Sequence, residues 1–251
     1  MREVALAWGA ATDTGQRAEN QDSFLARPPV FAVADGMGGH AAGRQASVVA
    51  VERLARTADA VTDGTSLTVE GLRQEIRGAD DDIRRAASTL GDARGMGTTV
   101  AGVALVEQPE HGACWAVFHV GDSRVYLLGE EGLVQLSTDH SVVQELVDMG
   151  MISAAAAAVH PQRHLVTRAL GVGPQAEADV LLLPVEPGRR FLVCSDGLTG
   201  ELEDGEIARL LADAEDPQAA AGTLVRTAVD RGASDNVTAV VVEVRELPSA
   251  E

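Results

Sequence analysis

Apolar residues recur along this chain in two rhythms. Short runs rich in Val, Leu and Ala, bounded by Gly, Asp or Pro, predict strands at 4–8, 30–34, 99–106, 114–120, 125–128, 133–136, 180–183, 191–194 and 237–244. Gly129-Glu130-Glu131-Gly132 separates two of them and reads as a hairpin turn. Elsewhere the rhythm lengthens. Leu72, Ile76, Ala79, Ile83, Ala86 and Leu90 recur at intervals of four and three, the buried face of one helix. Residues 42–58 predict a second helix with Val48, Val51 and Leu54 inward. A third runs over 141–149 and stops at Gly150. Ser153 caps a short fourth that ends before Pro161. Residues 206–212 and 217–230 complete the set, with Pro217 at a first helical position.

Strands dominate both ends, and helices come in pairs instead of alternating singly with strands. That pattern predicts largely antiparallel sheets with paired helices packed on them, not a doubly wound parallel sheet. No internal repeat or low-complexity linker divides residues 1–251, so one continuous domain is expected. Aromatic residues make up only 3% of the chain, so the core must be built from Ala, Val and Leu.

Charge narrows the chemistry. All 20 basic residues are arginine, which excludes a Walker-type, Schiff-base or kinase lysine. The formal net charge of -18 repels nucleic acid and anionic membranes and favours cations. Cys114 and Cys194 lie in apolar runs and read as buried free thiols of a reducing compartment. No apolar run approaches the roughly 18 residues that span a bilayer, and the N-terminus has no signal-peptide pattern. A soluble, cytoplasmic chain is expected.

The informative acids are Asp35, Asp122, Asp196 and Asp235, each at the rim of a predicted strand and most beside a glycine, and Asp22, which precedes the short apolar pair Phe24-Leu25. A carboxylate there is rigidly held yet reaches solvent, and the glycine lets a ligand approach. Converging, such groups form an all-oxygen site suited to magnesium, manganese or calcium. Singly, each is an ordinary turn or cap residue, and spacing alone does not bring them together. Gly36-Met37-Gly38-Gly39-His40 either cradles phosphate through backbone N–H groups or makes a tight turn. Arg17 either binds a phosphoryl group or forms a surface ion pair. Ser195 is not in a nucleophile elbow, and Cys194 has no phosphate loop after it.

In order along the chain stand GQRAENQD (15–22), ADGMGGH (34–40), GMGTT (95–99), VGDSR (120–124), DHS (139–141), HP (160–161), TRALG (167–171), CSDGLT (194–199) and SDNVT (234–238). This series, spread over residues 8–244, resembles the metal-dependent serine/threonine protein phosphatases of type 2C, the PPM family, in their compact bacterial form. The resemblance implies an α+β fold, a four-layer αββα sandwich of two mainly antiparallel β-sheets flanked by helix pairs, with a flap near residues 141–170. It implies two core ions of Mn2+ or Mg2+ and a third, weaker ion. Carried over by motif, Asp35 bridges the core ions, the Gly36 carbonyl binds one, and Asp196 and Asp235 complete the direct ligands. Asp22 holds metal-bound water, Asp122 serves the third ion, and Arg17 binds the substrate phosphate.

The implied reaction is hydrolysis of phosphoserine and phosphothreonine in proteins by a hydroxide bridging the metals. The implied partners are phosphorylated proteins and the serine/threonine kinases they answer to, with no nucleic acid, no membrane and a monomeric chain. The sequence departs from the pattern at three places. Met37 stands where many eukaryotic relatives carry the histidine that protonates the leaving group. His40, three residues on, either takes that role or caps or packs the helix that follows. An alanine run replaces a more acidic helix start at 153–157, and His164 stands where asparagine is common. Two other readings are a catalytically silent binding module and a different metal hydrolase acting on small phosphomonoesters or nucleic acid. Retention of every acidic position weighs against the first, and the acidic surface weighs against a nuclease.

Overall fold

The structure is a computed structural model that describes residues 4–38, 41–61, 66–89, 95–110 and 112–246. Its architecture follows from where the Val-rich strands place their two faces. One sheet runs in the order β1 (Val4–Asp13), β11 (Val237–Glu246), β10 (Arg190–Cys194), β7 (Arg124–Gly129) and β8 (Gly132–Gln135). The other runs β2 (Asp22–Arg27), β3 (Val30–Met37), β5 (Val100–Gln108), β6 (Gly112–Val120) and β9 (Asp179–Pro184), with the short β4 (Gly97–Thr98) on the end of β3. Every pairing is antiparallel.

Three apolar layers hold four structural layers together. Between the sheets, Phe31, Val33, Val103, Trp115, Val117, Phe191, Val193 and Val240 form the inner core. Phe31, Trp115 and Phe191 stack across it at 6.4 and 5.2 Å between ring centroids, in the tilted geometry aromatic pairs prefer. The second sheet's outer face is covered by α1 (Ala41–Ala60) and α2 (Val69–Thr89). The first sheet's outer face is covered by α6 (Asp204–Asp213) and α7 (Pro217–Asp230). The expected αββα sandwich is therefore present.

Most predicted elements recur with extended ends. The caps at Ser141, Ser153 and Pro217 fall where expected, on α3 (Val142–Asp148), α4 (Ala154–Ala158) and α7. Three differences bear on function. Strand β2 and the single-turn α5 (Asp196–Thr199) were absent from the periodicity, because both are short and begin on an aspartate. Strand β3 runs three residues past Ala34 and carries Asp35 and Gly36 into the sheet. On α1 the inward face is Ala42, Ala46, Ala50, Leu54 and Ala58, with Val48 only half-buried. Small residues win that face because the helix lies almost on the backbone of β3. A Cβ on Gly36 would stand 2.1 Å from the Gly43 carbonyl oxygen. Leu90, the last predicted position on α2, lies outside the described residues.

The flap is fastened at its far end. Leu170 and Thr98 exchange backbone hydrogen bonds of 2.9 and 3.0 Å. The fully buried Asp80 accepts from the Gly171 N–H at 2.6 Å and from Arg84.

The inner core yields a stability test. Trp115 is wholly buried, and its indole N–H has no acceptor. Trp115→Ala is expected to cost about 3–5 kcal/mol in urea unfolding. Trp115→Phe should cost under about 1.5 kcal/mol, because it also removes the orphan donor. A Trp115→Phe loss well above about 1.5 kcal/mol would show that the lost ring volume outweighs the relief of the orphan donor.

Candidate active site

Loops from both sheets meet at one end of the sandwich and bring the five predicted aspartates to one cleft. The first two arrive by strand register. Asp22 opens β2 and stands directly opposite Asp35 of β3. Like charges so placed repel, and the neighbours hold them by main-chain and hydroxyl contacts. The Asp35 carbonyl accepts from the Thr99 N–H at 2.9 Å and the Thr98 hydroxyl at 2.8 Å, and its own N–H donates to the Thr99 hydroxyl at 3.0 Å. Asp22 Oδ2 accepts from the Ser195 and Thr238 hydroxyls, each at 2.7 Å. Its other oxygen, Oδ1, is sealed from solvent with no protein partner.

Asp196 and Asp235 come from the other sheet. Asp196 starts α5 directly after β10, and Asp235 precedes β11. A Cβ on Gly197 would lie 2.1 Å from the Asn236 carbonyl oxygen, so only glycine lets these two loops meet. Asn236 ties in the loop before β2. Its amide donates to the Thr14 and Glu19 carbonyls at 2.9 and 3.0 Å, and its Oδ1 accepts from the Gln21 N–H at 2.8 Å. That loop carries Arg17, whose Nη2 donates to Asp235 Oδ2 at 2.7 Å. The surface ion pair weighed for Arg17 is thus present, and the same residue lines the cleft.

Asp122 sits in the turn after β6, buried beneath the flap segment. The preceding Gly121 has φ +106°, and its peptide is held at both ends by His140. The Gly121 N–H donates to His140 Nδ1 at 3.0 Å, and the Gly121 carbonyl accepts from the His140 N–H at 2.9 Å.

The cleft encloses about 930 Å³ and is lined by Arg17, Asp35, Gly36, Asp122, His164, Asp196 and Asp235, among others. Asp22 stands behind this lining. A second cleft of about 940 Å³, beyond Met37 and Val166, holds none of the five aspartates. His40 lies outside the described residues. The supporting hydroxyls of Thr98, Thr99, Ser195 and Thr238 and the amide of Asn236 were quoted within motifs but given no role. For Ser195, Asn236 and Thr238 the signal in the sequence is a small polar residue within three positions of an aspartate; Thr98 and Thr99 carry no such signal.

Burial and mutual repulsion disfavour the charged carboxylates. Asp35 is held well above the usual carboxylate range by desolvation, then by Asp22, Asp196, Asp122 and Asp235. Desolvation, with Asp196 and Asp139 nearby, pushes Asp122 up to about 7. Asp22 rises to about 6 through desolvation, although the Thr238 and Ser195 hydroxyls pull it back.

His119, His140 and Asp179 form a further group whose donor atoms lie within 4.8 Å of one another. Its hydrogen bonds make it a strut and not a cation site. The Thr138 carbonyl, 2.7 Å from His119 Nε2, can only accept, so that nitrogen carries the proton. His140 Nδ1 takes the Gly121 N–H, which puts its proton on Nε2, facing Asp179 at 3.2 Å.

The carboxylate shifts carry a pH signature for the metal-free protein. Between the unfolded value of 3.8 and the raised folded value, the folded state holds extra protons. Stability should therefore fall as pH rises from about 4 to about 7. Chelator-treated protein unfolded in urea should be less stable at pH 8 than at pH 5. Asp122→Asn should recover on the order of 2–4 kcal/mol at pH 8. A flat profile in both proteins would remove buried-carboxylate strain from the site.

Residues 13–228 match the family described as Protein phosphatase 2C. The chain is 37% identical over 242 residues to the serine/threonine protein phosphatase PstP of Mycobacterium tuberculosis, covering 96% of this chain and 45% of PstP. It thus spans less than half the length of that relative. It is also 37% identical over 236 residues to the serine/threonine phosphatase stp of Listeria welshimeri, covering 92% of this chain and 89% of that protein. The crystal structure of the PstP catalytic domain in complex with two manganese ions superimposes with a TM-score of 0.87 at 34% identity, covering 97% of this chain and all of that one. In sequence and in fold, this chain belongs to the protein phosphatase 2C family.

Proposed function

We propose that the chain is a catalytic domain that hydrolyses phosphoserine and phosphothreonine esters in proteins, using Mn2+ or Mg2+ held by its aspartates. The observation that carries this reading is that Asp35, Asp122, Asp196 and Asp235 line one cleft from both sheets, with Asp22 behind it opposite Asp35, its Oδ1 buried and without a hydrogen-bond partner among the described residues. A sealed carboxylate oxygen beside four other acids is a donor set that waits for cations or the water they carry. All its protein donors named so far are oxygens, which suits manganese and magnesium.

In this reading Asp35 and the Gly36 carbonyl face the core ions, with Asp196 and Asp235 completing the direct ligands. Asp22 orients water through Oδ1, and Asp122 with Asp196 serves a third, weaker ion. When bound, the cations supply Lewis acidity toward the phosphoryl oxygens and lower the pKa of water. The chain's own residues do the rest. Arg17 has five N–H donors, of which one engages Asp235, so its guanidinium can also clamp a phosphoryl group at the rim. Gly36 and Gly38 line the cleft without adding a side chain to it.

Covalent catalysis has no support among the candidate nucleophiles. Cys194 is fully buried, and burial pushes its thiol up to about 12. Cys114 is buried as well. The Ser195 hydroxyl donates to Asp22 and accepts from the Thr238 N–H. Water is left as the attacking group. We further infer a monomeric cytoplasmic domain that opposes serine/threonine kinases and binds neither nucleic acid nor membrane. The net charge of -18 supports the last two points. No helix among the described residues is long and apolar enough to cross a membrane.

Purified protein is expected to hydrolyse a phosphothreonine peptide with manganese added and to stop with excess chelator. Asp35→Ala and Asp196→Ala should each lower kcat by at least about a hundredfold while circular dichroism stays unchanged. Full activity in both variants, or in chelator, would sink the metal assignment. Arg17→Ala should raise KM for the phosphopeptide about tenfold with a smaller change in kcat. An unchanged KM would remove the phosphate clamp.

A further inference from the structure

His164 faces the aspartates from across the cleft and has no place in the assignments above. It lies in the chain that returns from α4 to the body of the fold. Main-chain hydrogen bonds hold it on both sides: Leu165 N–H to the Gln162 carbonyl, Val142 N–H to the Leu165 carbonyl, and Thr167 N–H to the His140 carbonyl, at 2.8–3.0 Å. Val166 also bridges to Ser141. The imidazole is thus presented from fixed backbone although its side chain is 61% exposed.

Its Nδ1 stands 3.6 Å from Asp196 Oδ2, and Asp122 acts on the same ring electrostatically. That separation is too long for a good hydrogen bond. Two donors on one first-row cation, at bond lengths of about 2.1 Å, stand about 3.0–3.4 Å apart. A small rotation of the two partly exposed side chains covers the difference.

We propose that His164 is a nitrogen ligand to the cation held between Asp122 and Asp196, so that this outer position is a mixed oxygen–nitrogen site that also fastens the flap segment across the cleft. The proposal rests on the metal-site reading given under Proposed function. Imidazole suits borderline transition ions and gives little to magnesium, which demands oxygen. The outer position should therefore select Mn2+, and with it Co2+ or Zn2+, over Mg2+. If His164 were instead a charged partner of Asp196, it would compete with the cation. The two roles predict changes of opposite sign when the imidazole is removed.

The test is calorimetric titration of the chelator-stripped full chain with Mn2+ and, separately, Mg2+, in the wild type and in His164→Ala. The weakest Mn2+ event should weaken about tenfold or more in the variant, with the tighter events unchanged. Mg2+ binding should move less than about twofold. Anomalous diffraction from Mn2+-loaded crystals should place an ion within about 2.4 Å of Nδ1. Unchanged or tighter Mn2+ binding in His164→Ala overturns the proposal, as does an ion beside Asp122 and Asp196 that His164 does not touch. If the wild type binds no Mn2+, the metal-site reading itself fails. If binding is abolished by Asp35→Ala yet indifferent to His164, only the present proposal fails.

Discussion

Repulsion among carboxylates at the end of a β-sandwich is the constraint around which this molecule is arranged. Antiparallel register forces Asp22 and Asp35 opposite each other, and three more aspartates close on them from neighbouring loops. Left to themselves such groups would splay into solvent. They are prevented by a backbone that cannot relax. Thr98 and Thr99 clamp both sides of the Asp35 peptide, two hydroxyls hold Asp22, and Asn236 pins the loop that carries Arg17. The rigidity traces back to the Val-rich layer between the sheets and to the close seat of α1 on β3, where Gly36 and Gly43 touch. Stability surrendered at the cleft is supplied by these apolar layers, as expected where function opposes local energetics.

What was legible in the sequence follows the same division. Strands and helices with a clear period, such as 191–194 and the Leu72–Ile76–Ile83 face, appear where their pattern put them. Strand β2 and helix α5 broke no visible rhythm, because their first residues are selected for the cleft and not for the core. The inward face of α1 was misjudged for a related reason. Packing against a backbone favours alanine over the valines that hydrophobicity alone would choose. The aspartates could be picked out one by one from their glycine neighbours, but their meeting is a tertiary fact, made by loops far apart in the chain. The hydroxyls around Asp22 were invisible because Ser and Thr serve many local purposes.

The flap is joined to the aspartate cleft by more than proximity. His140 grips both ends of the Gly121 peptide, and its carbonyl receives the Thr167 N–H of the flap's return path. Its ring stacks on His119 at 4.6 Å between centroids and reaches Asp179, which also pairs with Arg168. Any displacement of the flap root therefore reaches the peptide bond next to Asp122. On the far side, Asp80 holds the Gly171 N–H and stops the segment from swinging freely.

The first and last strands, β1 and β11, pair over their full ten residues, with Asp13 and Val237 at the cleft end and Val4 and Glu246 paired at the opposite pole. Residues 4–246 therefore nearly form a ring, closed by the pairing of β1 with β11. A link between Val4 and Glu246 with a cut at the Gly129–Gly132 turn, where Gly132 has open space around it, would reorder synthesis and keep every strand pairing, with only β7 and β8 no longer continuous through their turn. The aspartate cleft belongs to the topology of the sandwich and not to the order in which the ribosome delivers its strands.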